Sequence, residues 1–118
     1  MPEPLLDRLL PLTPLSHGIL LALADADRHG YTIAQEVERQ SDGALRPGTG
    51  TLYAALQRMV DEGLLRESDR LPRPDEDQRR KYYAVTDLGR RAARAEAARL
   101  LRVLEVAGEK GMIPGTPS

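Results

Sequence analysis

Between Gly43 and Val60 the chain carries Arg46 and Arg58 but no Asp or Glu, although 30% of its residues are charged. A segment without carboxylates can lie against a polyanion without repulsion. If a helix begins near Thr49, the Thr49 and Thr51 hydroxyls and the unpaired N–H groups of its first turn are suited to phosphate oxygens or base edges. Gln57 and Arg58 follow about two turns later. In a DNA major groove a Gln amide pairs with adenine, an Arg guanidinium pairs with guanine, and the methyl of Ala54 matches that of thymine. A second cationic group, Arg79-Arg80-Lys81, is followed by Arg90 and Arg91, and only Asp87 is acidic between Gln78 and Arg91. Beside the first group these cations would reach the phosphate backbone; in isolation such a run is as readily a solvated surface.

Both groups need elements to hold them. Thr13 followed by Pro14 is a helix start, and the apolar residues Leu15, Ile19, Leu20, Leu21 and Leu23 predict a scaffold helix to about Ala26. Asp27 to Tyr31 reads as a turn, and Thr32 with Gln35 fits a capping box for a second helix ending near Gln40. Ser41-Asp42-Gly43 stops it. A third helix, most simply capped by Thr49, reaches Glu62 before Gly63. Leu52, Leu56 and Met59 recur at i, i+4 and i+7, so Thr51, Ala54, Gln57 and Arg58 must face away from the core. Two short helices joined by a Gly-containing turn form a helix-turn-helix.

Residues 64–68 and 81–85 are strand candidates flanking a polar segment with Pro72, Pro74 and the acids Asp75, Glu76 and Asp77, which predicts a hairpin with a mobile tip. Tyr82 and Tyr83 alternate across the strand, one toward the core and one toward the surface. Thr86-Asp87 then caps a long helix to about Ala107. Its residues Ala93, Ala97, Leu100, Leu104 and Ala107 follow a coiled-coil spacing, flanked by Arg94, Glu96, Arg99 and Glu105. The alternative is a helix that packs only on its own domain. Leu5, Leu6, Leu9 and Leu10 suggest a short amphipathic turn docking elsewhere.

With 118 residues and 41% hydrophobic content, one compact unit is expected. It divides into residues 1–86, which carry the reading elements and an N-terminal arm, and residues 87–118, the terminal helix and tail. Cysteine is absent, which excludes disulfides, thiolate metal sites and cysteine nucleophiles. His17 and His29 are the only histidines, so no metal site is expected, and no cofactor motif is present. Asp75, Glu76 and Asp77 are neighbours on a loop rather than a converging acid/base pair, so no enzyme activity is expected. Neither a signal peptide nor a membrane span is seen, and a cytoplasmic location is the expectation. The net charge of −1 makes local charge, not the total, decisive for binding nucleic acid.

Taken in order, Leu15 to Leu23, His29-Gly30-Tyr31, Gly50-Thr51-Leu52-Tyr53 with Leu56, Asp61-Glu62-Gly63-Leu64, Arg80-Lys81-Tyr82-Tyr83 and Thr86-Asp87-Leu88-Gly89 resemble the PadR family of winged helix-turn-helix regulators. The resemblance covers roughly Leu12 to Leu104. It implies a mainly α fold with a small β-hairpin and a C-terminal dimerisation helix. It also implies DNA contacts from the third helix and the wing, and repression relieved by a small ligand in some members. The tyrosines matching Tyr31 and Tyr53 tend to lie at the DNA side in that family, and the resemblance carries this role to them. The helix from Asp87 to Ala107 has no aromatic residue, which argues against an effector sandwiched between aromatic rings at the dimer centre.

The functional expectation is a repressor that binds a palindromic double-stranded DNA operator as a homodimer, with a small-molecule effector of unspecified identity. Two recognition helices about 34 Å apart would then meet successive major-groove faces. The rival readings are a winged-helix adaptor that binds a protein through its third helix, and a small enzyme or ligand carrier using the dimer cleft. The acid-free helix and the Arg-Arg-Lys run argue against the first, and the lack of a converging catalytic set argues against the second.

Overall fold

The computed structural model describes residues 4–115. The elements follow in the order α1 (Pro4–Leu9), α2 (Pro14–Ala22), β1 (Arg28–His29), α3 (Gly30–Gln40), α4 (Thr49–Asp61), β2 (Leu65–Glu67), β3 (Tyr82–Val85) and α5 (Asp87–Glu109). This is the expected mainly helical winged helix-turn-helix, with a long C-terminal helix. Thr13 caps α2 by accepting a bond from the Ser16 N–H, and Pro14 opens the helix. The helix ends at Ala22 rather than near Ala26. Arg28 Nε donates to the Ala22 carbonyl at 2.8 Å, so a side chain takes the place of the next helical N–H.

The capping box expected at Thr32 is not formed. The third helix begins three residues earlier, at Gly30, with His29 in the cap position. The Thr32 hydroxyl donates back to the His29 carbonyl at 3.0 Å, a geometry open to threonine inside a helix. Similarly, Gly48 rather than Thr49 precedes the first residue of α4, and no side chain bonds to the open N–H groups there. Gly63 ends α4 with φ of 80°. Its N–H meets the Val60 carbonyl while that of Leu64 meets Met59, the paired bonds of a Schellman turn.

A three-stranded antiparallel sheet of order β1-β3-β2 replaces the expected two-stranded hairpin. His29 pairs with Tyr82 on one side of β3, and Glu67 pairs with Tyr83 on the other. Where a turn was expected, β1 thus ties the start of α3 directly to the wing. On β3 the alternation resolves clearly. Tyr83 and Val85 pack on the helical core, whose largest fully buried members include Ile19, Leu20, Ile33, Leu56, Met59 and Leu64. Tyr82 faces the other way and is nonetheless only 3% exposed, because the loop between β2 and β3 folds over it.

Gly89 explains how α5 leaves the sheet. A Cβ at this position would overlap the Leu64 carbonyl and approach Val85 Cγ2 to 2.8 Å, so only glycine allows the helix so close to β2. Thr86 completes the junction, accepting from the Gly89 N–H at 3.0 Å and donating to the Gly63 carbonyl at 2.6 Å. The buried residues of α5 are Gly89, Ala92 and Glu96. Beyond Glu96 the helix projects from the body, which accounts for the long axis of a molecule measuring 57 × 34 × 23 Å. The N-terminal arm is α1, which packs against α5 with Leu6 and Leu9 partly buried.

Glu96 was expected on the flank of the α5 seam but lies inside, 2% exposed. Its Oε1 accepts the Leu12 N–H at 3.0 Å, and Arg99 Nε donates to both carboxylate oxygens at 3.1 and 3.2 Å. The Arg99 bonds hold the carboxyl below the ordinary range against the opposing effect of burial, and the Leu12 N–H adds to them. A lowered carboxyl pKa stabilises the fold above the ordinary value near 4.5 and loses that contribution as pH falls through the lower folded value. Glu96→Ala should therefore destabilise the protein by about 1–3 kcal/mol at neutral pH, because the Leu12 N–H is left buried and unpaired. In denaturant titrations the gap to the parent should narrow below pH about 4.5. A gap that is constant from pH 7 to 3 would assign Glu96 a packing role only.

Candidate nucleic-acid interface

The side chains expected to point away from the core do so: Thr51, Ala54, Gln57 and Arg58 are all exposed, and Thr49 at the start of the helix is exposed as well. Leu52, Ala55, Leu56 and Met59 form the buried stripe of the same helix. At roughly 100° per residue, Gly50, Ala54 and Gln57 lie nearest the pole opposite that stripe, with Tyr53 on one flank and Thr51 and Arg58 on the other. Two of these groups already have partners. Gln57 Nε2 donates to Asp61 Oδ1 at 3.0 Å, which puts a carboxylate at the far end of the face, one residue beyond the acid-free segment. Arg58 is drawn toward α2, donating to Ser16 Oγ at 2.7 Å with Glu62 3.6 Å away.

Tyr53 lies across the start of α3. A Cβ on Gly30 would sit 2.6 Å from Tyr53 Cζ, so the glycine is what admits the ring. Tyr53 is still 48% exposed, and Tyr31, the next residue after that glycine, is 65% exposed. The two tyrosines therefore present large amphipathic groups to solvent at the α3–α4 junction, an arrangement suited to a partner with both apolar and polar surface.

The wing brings more residues together than its Arg79-Arg80-Lys81 run suggests. Arg79 is 92% exposed and bonded to Asp77, and Lys81 is exposed. Arg80 turns inward, donating to His29 Nε2 at 3.2 Å and lying 3.9 Å from Glu76. Arginine can only donate, so Nε2 accepts and this imidazole is neutral. Burial, followed by the Arg80 charge, lowers the His29 pKa in agreement. Arg70 stacks 4.2 Å above the Tyr82 ring, and His29 meets that ring edge-on at 5.3 Å. The Tyr82 hydroxyl donates to Glu76, lowering the carboxyl pKa and raising that of the phenol. Glu76 is thus bound into the wing, although its place among three adjacent loop acids gives no sign of this. Arg70, Arg73 and Glu76 carry no local sequence signal of this role, since only the fold of the loop brings them to Tyr82.

The residues of the α5 seam differ in their surroundings. Ala93 and Ala97 line a groove of about 210 Å³ with Leu20, Leu21 and Val85 of the same domain. Leu100 and Leu104 are 40% and 54% exposed, and Ala107 is half-buried. On the other side of α5 lies a cleft of about 270 Å³, lined by Leu12, His17, Val37, Leu45, Glu96 and Leu100 among others. His17 Nε2 there is the one buried side-chain polar atom without a partner among the described residues. No helix among those residues is long and apolar enough to cross a membrane.

Residues 19–95 match the Transcriptional regulator PadR-like family. An uncharacterized protein of Lysinibacillus sphaericus is 31% identical over 72 residues, 61% of this chain and 64% of that protein. An uncharacterized 37.1 kDa transposon protein of Streptomyces fradiae is 36% identical over 86 residues. Those cover 72% of this chain but only 22% of the relative, so the chain spans less than two thirds of either protein's length. A PadR family transcription regulator from Clostridium difficile superposes with a TM-score of 0.68 at 23% identity, covering 82% of this chain and 97% of that one. A PadR-like regulator from Bacillus cereus gives 0.67 at 20% identity, covering 91% and 95%. Bacillus subtilis PadR, solved in complex with operator DNA, gives 0.59 at 22% identity, covering 70% and 46%. These three structures share the fold of this chain.

The seat of Tyr53 can be tested without any ligand. Gly30→Ala should cost about 1–3 kcal/mol of stability through overpacking. In a Tyr53→Ala background the same substitution should cost almost nothing, giving a strongly non-additive cycle in chemical denaturation. Equal costs in both backgrounds would mean that the ring does not depend on the glycine.

Proposed function

This chain belongs to the Transcriptional regulator PadR-like family, and from that premise we propose that it is a repressor that binds a palindromic operator as a homodimer. The observation that carries the reading is the outer face of α4. Its first three turns hold no carboxylate, its opening N–H groups have no side-chain cap, and cationic side chains of the wing are exposed on the same domain. In this reading Thr49 and Thr51 meet phosphate, while Ala54 and Gln57 read base edges once Gln57 exchanges Asp61 for a base. Arg58 serves from the flank that Ser16 now occupies. Tyr31 and Tyr53 contact the backbone beside the groove, and Arg79, Arg80 and Lys81 do so from the wing. The operator complex of the B. subtilis relative supports the same partner for this chain.

The second copy joins through α5. Leu100, Leu101, Val103 and Leu104 are each at least 40% exposed, a concentration of apolar surface that a lone soluble chain rarely presents. Ala93, Ala97 and Ala107 continue the contact at its edges. A small effector would act through the cleft beside His17, where an apolar lining and one unpaired imidazole nitrogen suit a compact ligand with a hydrogen-bond donor. Action in the cytoplasm follows from a DNA partner. No catalytic role is assigned to any residue.

Affinity for a short palindromic duplex should fall steeply with salt. Arg80→Ala should flatten the slope of log K against log salt by about one unit. Binding that ignores salt, or a face that takes up a polypeptide in place of DNA, would favour the adaptor reading. Leu100→Glu with Leu104→Glu should yield a monomer by sedimentation and lose operator binding, since half-sites are held together only by the dimer. A double variant that remains dimeric would place the interface elsewhere.

A further inference from the structure

We infer that Glu76 is a positioning residue for DNA binding, gathering Arg70, Arg73 and Arg80 into one phosphate-facing patch, so that removing this acid weakens binding to a polyanion. The inference rests on the operator reading above and adds two arginines and one carboxylate to it. Glu76 stands in the loop between β2 and β3 with its side chain 16% exposed, far less than an acid on a free turn. Arg73 Nε lies 3.4 Å from its Oε1, Arg70 3.9 Å from Oε1, and Arg80 3.9 Å from Oε2. The hydroxyl of buried Tyr82 donates to Oε2. One carboxylate thus faces three guanidinium groups and is anchored from below by a residue of the central strand.

The loop is also tied to the domain by the Arg70 guanidinium on the Tyr82 ring, the bond of Arg80 to His29, the Ser68 hydroxyl on Asp27 and the Ser68 N–H on the Tyr82 carbonyl. Gln78 Nε2 braces it from within, donating to the Arg73 and Glu76 carbonyls at 2.6 and 3.0 Å. None of these bonds joins the three guanidinium groups to one another, as the Glu76 carboxylate does. Three like charges gathered on a short loop repel one another, and Glu76 offsets that repulsion. The outer parts of the cations remain available: the side chains of Arg70, Arg73 and Arg80 are 39%, 71% and 41% exposed. Phosphate binding gains when cations are already gathered, because less side-chain freedom is lost at the moment of contact. Net charge alone points the other way, since loss of an acid makes the wing more positive and should tighten binding.

The experiment compares parent, Glu76→Gln, Glu76→Ala and Tyr82→Phe on one short palindromic DNA duplex of fixed sequence over a salt series, with thermal melting as the check on folding. Both Glu76 variants should bind roughly tenfold more weakly in moderate salt, with slopes shallower by one to two units, as expected when about one or two phosphate contacts are lost. Tyr82→Phe removes only the anchoring hydroxyl and should shift affinity and slope in the same direction by a smaller amount. It carries the test if Glu76→Ala does not fold. Binding equal to or tighter than the parent, or weaker binding with an unchanged slope, would overturn the positioning role while leaving the operator reading intact. A parent protein that ignores duplex DNA in dilute buffer would overturn the operator reading, and this inference with it.

Discussion

The four residues of β3 must satisfy two faces at once, and the rest of the architecture follows from that requirement. Antiparallel pairing gives the strand a neighbour on each edge, β1 beside Tyr82 and Tyr83 and β2 beside Tyr83 to Val85, while alternation sends Tyr83 and Val85 into the helical core and Tyr82 to the opposite side. A tyrosine on that side of so small a sheet would stand in water unless something covered it. The loop from β2 supplies the cover, laying Arg70 over the ring and bringing Glu76 to its hydroxyl, while Arg80 meets the neighbouring His29. Through His29, the same strand reaches the residue that precedes α3. The wing and the helix-turn-helix are thereby joined through one short ladder.

In the function proposed above, a net charge of −1 is compatible with a polyanion partner because several carboxylates sit beside the donor side chains offered to it. Asp61 and Glu62 meet Gln57 and Arg58, Asp77 meets Arg79, and Glu76 meets three arginines. Exposed ion pairs contribute only about 0–1 kcal/mol each, so phosphate can take over the outer donors at little cost. Screening confines each charge to about 8–10 Å in ordinary salt. In that reading the local arrangement would govern docking, and the overall acidity would have little bearing on it.

Close approach is the other recurring device, and it depends on two glycines. Gly89 lets α5 start against the Leu64 carbonyl, and Gly30 lets Tyr53 lie over the first turn of α3. Each joins elements that are distant in sequence by removing a side chain rather than by adding a contact. At the other end of α5 the geometry opens out. Glu96 closes the last buried turn by binding the Leu12 N–H, after which Leu100, Leu101, Val103 and Leu104 are largely exposed.

Period and punctuation along the chain were enough to determine the major helices, the outward set Thr51, Ala54, Gln57 and Arg58, the Thr13 and Thr86 caps, and the stop at Gly63. These depend on neighbours within about one turn, where backbone sterics and local hydrogen bonds dominate. The winged-helix order of elements could be read from the same local signals together with family resemblance. Tertiary structure alone decided the rest. A two-residue strand such as β1 has no period to detect, and the choice of Gly48 over Thr49 as cap depends on how the preceding turn arrives. The burial of Glu96 depends on a partner 84 residues away. Likewise, whether Glu76 is a solvated turn acid or the centre of a cation cluster depends on which face of β3 the loop covers. Desolvation and ion pairing act through space, and for such groups distance along the chain carries no information about their surroundings.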